Sequence, residues 1–75
     1  MRYFAKFSSN STFTATPYEY TNKATAIREI IAIAKGNTND TAKWTVTDER
    51  GYIVAAGYTR NGRNYNTPEL IGNPD

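Results

Sequence analysis

Residues 42–66, AKWTVTDERGYIVAAGYTRNGRNYN, decide the fold, because two turn signals divide them into three strand-like runs. Ala42, Trp44 and Val46 alternate with Lys43, Thr45 and Thr47, the period of a strand with one buried face. Asp48-Glu49-Arg50-Gly51 reverses that strand, as a type I turn with Gly51 left-handed. If Asp48 pairs with Tyr52, then Val46 faces Val54, Trp44 faces Ala56 and Ala42 faces Tyr58, so Ile53, Ala55 and Gly57 look outward. Asn61-Gly62 is the strongest turn signal in the chain, since a type I′ turn needs positive φ at both central residues. The second hairpin it makes pairs Arg60 with Arg63 and Tyr58 with Tyr65.

Upstream, the period changes to that of a helix. Thr21 or Asn22 caps a helix from Lys23, and Gly36 is its expected stop. Ile27, Ile30, Ile31 and Ala34 recur at i, i+3, i+4 and i+7, with Ala24 beside them, and this stripe is expected to face the sheet. Arg2 to Phe7 reads as a first strand with Tyr3, Ala5 and Phe7 on one face. After a polar turn, Thr12-Phe13-Thr14-Ala15-Thr16 reads as a second strand burying Phe13 and Ala15, ended by Pro17. Thr67-Pro68-Glu69-Leu70 predicts one helical turn stopped at Gly72. The expected architecture is α+β, one amphipathic helix on a four- to five-stranded antiparallel sheet in the order ββαβββ. Residues 1–75 form one domain, with an ordered core over about 2–67 and a fraying tail at 68–75.

The totals exclude several kinds of chemistry. The 75 residues hold no Cys and no His, which removes thiol nucleophiles, disulfides, Cys/His zinc sites and the commonest general base near neutral pH. The five glycines form neither GxGxxG nor a P-loop, and the carboxylates lack calcium-loop spacing, so no cofactor is expected. Asp48 and Glu49 on a tight turn point apart into water, a poor setting for a catalytic pair, and the chain is read as non-enzymatic. The N-terminus lacks a signal-type apolar run and no segment is apolar enough to span a membrane. The expected location is therefore cytoplasmic, and the N-x-[ST] matches at Asn10 and Asn39 carry no weight. All nine Lys and Arg precede Asn66, whereas Glu69 and Asp75 follow it, so the body is more basic than the net charge of +2.

Three surfaces are candidates for binding. Arg60 and Arg63, directly opposite on a hairpin tip beside Tyr58 and Tyr65, repel each other unless a phosphate backbone or an acidic patch lies between them; the ordinary structural alternative is a solvated, screened tip. The outer sheet face is expected to carry Lys6, Lys43, Phe4 and Ile53 among threonines, with only Phe4 able to stack on a base. Six tyrosines, several near strand ends, are suited to interfaces but also to covering the edges of a core.

NKATAIREIIAIAKG (22–36) followed by KWTVTDERGYIVAAGYTRNG (43–62) resembles the small orphan proteins encoded early in bacteriophage genomes. The element order is similar to that of some small type I anti-CRISPR proteins and of small phage inhibitors of host RNA polymerase. The chain lacks the acidic strip of the polymerase inhibitors and, being basic, departs from DNA mimics. The resemblance implies a class and no functional residue: a stoichiometric inhibitor, monomeric or weakly dimeric, that blocks a larger bacterial protein or nucleoprotein complex in the host cytoplasm. The residues themselves leave direct nucleic-acid or DNA binding, through the basic hairpin and sheet face, as the alternative.

Overall fold

The computed structural model describes residues 1–74. Strands β1 (Tyr3–Ser8), β2 (Tyr18–Tyr20), β3 (Ala42–Asp48), β4 (Ile53–Arg60) and β5 (Arg63–Asn66) form one antiparallel sheet in the order β2-β1-β3-β4-β5. Helix α1 (Lys23–Asn37) packs on one face of it, making an α+β fold as expected.

Asn22 opens the helix: its side-chain Oδ1 accepts the backbone N–H of Thr25 at 3.0 Å, satisfying one of the first-turn donors. The buried stripe is Ala26, Ile30 and Ala34, with Ile27, Ile31 and Ile33 packed along its sides. It is therefore rotated from the expected stripe, and Ala24 is exposed. Small alanines above and below Ile30 let the helix axis approach the sheet, while the larger isoleucines fill the flanks. Gly36 does not stop the helix and does not take a positive φ. Asn37 Nδ2 donates to the Ile33 carbonyl at 2.7 Å and Thr38 N–H to that of Ala34, so the end is closed without a left-handed residue.

The inner sheet face carries Ala5, Phe7, Ala42, Trp44, Val46 and Ala55, all in one core cluster with the helix. Trp44 is its largest member, and its indole N–H donates to Asn64 Oδ1 at 2.8 Å, so the buried polar edge is satisfied.

Three further expectations fail. The Asp48–Gly51 turn forms as read, with Gly51 at φ 87° and Asp48 N–H bonded to the Tyr52 carbonyl. Val46 then pairs with Ala55 while Thr47 pairs with Ile53, so Val54 is an extra residue, a β-bulge. Beyond the bulge the register moves by one: Trp44 faces Gly57 and Lys43 faces Tyr58. Because the side-chain period is two, that step turns Ala55, Gly57 and Thr59 inward and Ala56, Tyr58 and Arg60 outward. The indole leaves no room at the inward position opposite it for anything larger than hydrogen: a Cβ on Gly57 would lie 2.7 Å from Trp44 Cζ2.

Phe13 is 70 % exposed, not buried. Ser9 Oγ accepts from the N–H groups of Ser11 and Thr12, and this tight turn sets Phe13 opposite Ser8, on the face away from the helix. Thr14 Oγ1 accepts the Phe7 N–H where a carbonyl would continue the ladder. Pairing therefore lapses and resumes after Pro17, where Tyr18–Tyr20 becomes the edge strand.

The tail does not fray within the described residues. Ile53 donates to the Asn73 carbonyl and accepts from Gly72 N–H, and Pro74 bridges to Tyr52, so residues 72–74 occupy the part of the β4 edge that β5 is too short to cover. Ile53 is consequently only 8 % exposed. It cannot serve as the exposed contact residue that the sequence suggested.

Candidate functional site

Residues paired across an antiparallel sheet share a face, so the register defines what the side opposite the helix displays. Phe13 pairs with Ser8, Ser8 with Lys43, Lys43 with Tyr58 and Tyr58 with Tyr65. These five positions form one row running straight across the sheet. At about 4.8 Å per strand the row spans roughly 19 Å. Aromatic rings stand at both ends, with Lys43 between them.

Flanking rows add charge. On one side Arg60 pairs with Arg63; on the other Lys6 pairs with Thr45, with Phe4 one further step away opposite Thr47 and Glu19. Seven of the sequence-derived candidates, namely Tyr58, Arg60, Arg63, Tyr65, Lys6, Lys43 and Phe4, are thus brought to a single face. Ile53 lies under the tail, as described above.

The tyrosines are ordered by each other. The Tyr58 and Tyr65 rings are 5.0 Å apart between centroids and inclined by 19°, a stacked pair. Tyr65 remains 42 % exposed on the outermost strand. A depression of about 480 Å³ opens between this ring, Arg60, Asn61 and Arg63. A second, of about 390 Å³, lies at the other end of the row, walled by Phe13 and Thr14 against Lys6 and Lys43.

The face is electropositive by arrangement more than by total charge. Among the described residues Lys43, Arg60 and Arg63 have no carboxylate within ion-pair distance. Glu19, the acid in the Phe4 row, sits at the β2 edge 3.9 Å from Arg2. Two further acids border the face, Asp40 in a depression with Arg60 and Asn61, and Glu49 in one with Arg2 and Phe4. Asp48 is 2 % exposed and fully engaged: Oδ1 accepts the N–H groups of Arg50 and Tyr52, and Oδ2 accepts the Arg50 guanidinium at 2.8 Å. The Arg50 guanidinium, helped by these backbone donors, holds the Asp48 carboxyl below its usual range against the opposing effect of burial. Asp48 is therefore a turn-forming residue, and its neighbour Glu49 is exposed in the same turn.

No protein-family model matches this chain, and neither a curated protein nor a solved structure matches it.

Sequence reasoning placed Tyr58 on the helix side and left Phe4 as the one ring able to stack. The bulge reverses the first assignment and Phe13, missed altogether, extends the second. A signal for Phe13 was present: a four-residue hydroxyl-rich loop, Ser9 to Thr12, joins Ser8 to Phe13 and sets them opposite. The bulge left no comparable mark, because Ala55 and Ala56 suit either face equally.

Proposed function

We propose that this chain is a non-enzymatic binding module, acting as an inhibitor of the bacteriophage type, that occupies a surface on a larger bacterial protein or nucleoprotein complex through the sheet face opposite α1. The observation that carries this reading is the cross-sheet row Phe13–Ser8–Lys43–Tyr58–Tyr65 with Arg60 and Arg63 beside it. Rings supply contact area at low entropic cost, and Lys43, Arg60 and Arg63, which have no ion-pair partner among the described residues, supply complementarity to an anionic surface. Blockade is steric. A standard interface takes about 800 Å² per partner, and the whole chain exposes 4794 Å², so one sheet face is a sufficient footprint.

The test uses three immobilised forms: the unaltered chain, Lys43→Glu at the middle of the row, and Arg28→Glu on the exposed side of the helix. Each is passed over bacterial lysate with and without nuclease. A stoichiometric partner held by the unaltered chain and by Arg28→Glu, and reduced at least about tenfold by Lys43→Glu, is the expected result. Equal retention by Lys43→Glu, or no specific retention by the unaltered chain, overturns it.

A further inference from the structure

We infer that the row takes single-stranded nucleic acid, with the phosphate backbone on Lys43, Arg60 and Arg63 and bases stacked at its two ends on Phe13 and Tyr65. This inference rests on the sheet face being the binding surface and names the chemistry that surface recognises.

Charge sets the class of partner. Arg60 and Arg63 are held directly opposite each other and Lys43 stands one row away, none with an ion-pair partner among the described residues, so like charges line the middle of a face that Glu19, Glu49 and Asp40 only border. A chain of phosphates is the anion whose charge repeats over such a length. Arg forks match phosphate oxygens in pairs, and the 480 Å³ depression walled by Arg60 and Arg63 is open to receive one.

Shape excludes the duplex. The major groove is about 12 Å wide and admits a helix or a two-stranded ribbon, whereas this row is roughly 19 Å across and its aromatic groups are at the rims. Stacking also requires a free base face, which a duplex does not offer. Phe13 is 70 % exposed, and Tyr65, 42 % exposed, is stacked on Tyr58 through one ring face, so the other is available. A positively charged track with exposed rings along it is the general solution for unpaired strands, because every base has a π-face. A protein epitope of acidic side chains would use the same cations, and the polyglutamate comparison below separates it from a strand whose bases stack on the rings.

The experiment measures fluorescence anisotropy of labelled single-stranded oligo-dT and oligo-rU, a hairpin duplex of the same length and a polyglutamate peptide, each titrated with the purified chain over a range of salt. Single strands are expected to bind at least about tenfold more tightly than the duplex or the peptide, with affinity falling linearly in log[salt] at roughly −0.7 per phosphate contact. Phe13→Ala and Tyr65→Ala, both at exposed positions, are each expected to weaken binding by between about fivefold and 150-fold with the salt slope unchanged. Lys43→Gln is expected to lower the slope by about 0.7. Equal affinity for duplex and single strand, or indifference to both aromatic substitutions while circular dichroism shows the fold intact, overturns the inference. So does polyglutamate binding as tightly as oligo-dT. If no oligonucleotide binds but lysate capture still depends on Lys43, the inference fails and the proposed function stands; if both fail, the face itself is wrong.

Discussion

Replacing Gly57 with alanine tests the register on which the binding row depends. In the bulged hairpin Gly57 points at the helix and lies under Trp44, and a Cβ there would sit 2.5 Å from the Tyr65 carbonyl oxygen, 2.7 Å from Trp44 Cζ2 and 2.8 Å from Trp44 Cε2. Two of these atoms belong to a side chain that is itself 2 % exposed, and the third is backbone of the neighbouring strand, so neither obstacle can yield cheaply. Overpacking a well-packed core costs about 1–3 kcal/mol, and with a strand backbone among the obstacles the upper end, about 3 kcal/mol, is expected. For a domain of this size that lowers Tm by roughly 12–24 °C. The loss is measured by urea and thermal unfolding followed by circular dichroism and Trp44 fluorescence. Trp44→Phe, which deletes the indole Cζ2 and the outer edge of its six-membered ring, should restore part of the loss in a double-mutant cycle, with a coupling of about 0.5–3 kcal/mol. In an unbulged hairpin residue 57 would face solvent, and alanine would change stability by no more than about 0.5 kcal/mol. Such a small change would refute the bulge and return Tyr58 to the helix side, dismantling the row.

Deleting Val54 removes the extra residue and joins Ile53 to Ala55, so the hairpin becomes regular while Lys43 still meets Tyr58. Stability should fall by about 1–2 kcal/mol, from loss of the Val54 contact with the core, with partner binding retained and Gly57→Ala as damaging as before; a harmless Gly57→Ala in that background would show that the faces had exchanged. Thr59 is 2 % exposed and its hydroxyl has no hydrogen-bond partner among the described residues, so Thr59→Val should raise stability by about 1 kcal/mol in urea titration, and a decrease would reveal a partner for that oxygen. Asp48 has a folded-state pKa below its ordinary value of 3.8, so its contribution is complete above that value and disappears as pH falls through the folded pKa. The urea midpoint should therefore drop on acidification below about pH 4, and by less in Asp48→Asn, while parallel profiles for the two proteins would contradict the assignment.

What could be read from the sequence, and what could not, follows from how far each feature depends on neighbours in the chain. The Asn61-Gly62 turn is local: Asn61 at φ 52° and Gly62 at φ 78° take the backbone that these residues tolerate best, and the Arg60–Arg63 and Tyr58–Tyr65 pairs follow from it. The cap at Asn22 is likewise local. The β3–β4 register is not, because Val54-Ala55-Ala56-Gly57 carries no alternation strong enough to fix a face, and the choice is made by the Trp44 ring on another strand. Phe13 looked buried because its segment alternates cleanly, but alternation establishes only that Phe13 and Ala15 share a side. Which side is set by the Ser9 turn and by the pairing with Ser8. Ile53 was misplaced because its cover arrives from residues 72–74, far along the chain. Seven of the eight residues singled out from the sequence therefore share one face, Ile53 is buried, and Phe13 was not among them.

The two sides of the sheet answer to different physical demands, and that difference bears on function. Apart from the Thr59 hydroxyl, the inner side is accounted for by packing: Gly57 makes room for the indole, Asn64 accepts its N–H, and the alanines allow the close approach of α1. The outer side includes choices that folding alone disfavours. Arg60 opposite Arg63 is a like-charge pair that costs a few tenths of a kcal/mol or more, and Phe13 leaves a large apolar ring in water without closing any core. An anionic partner engaging that row would offset both at once, the charges by pairing and the ring by burial. By linkage, such a partner must also raise the stability of the chain, in proportion to the logarithm of its concentration over Kd. A ligand that stabilises the unaltered chain, and stabilises it less after Arg60 and Arg63 are neutralised, would have found the side of the sheet that folding leaves unexplained.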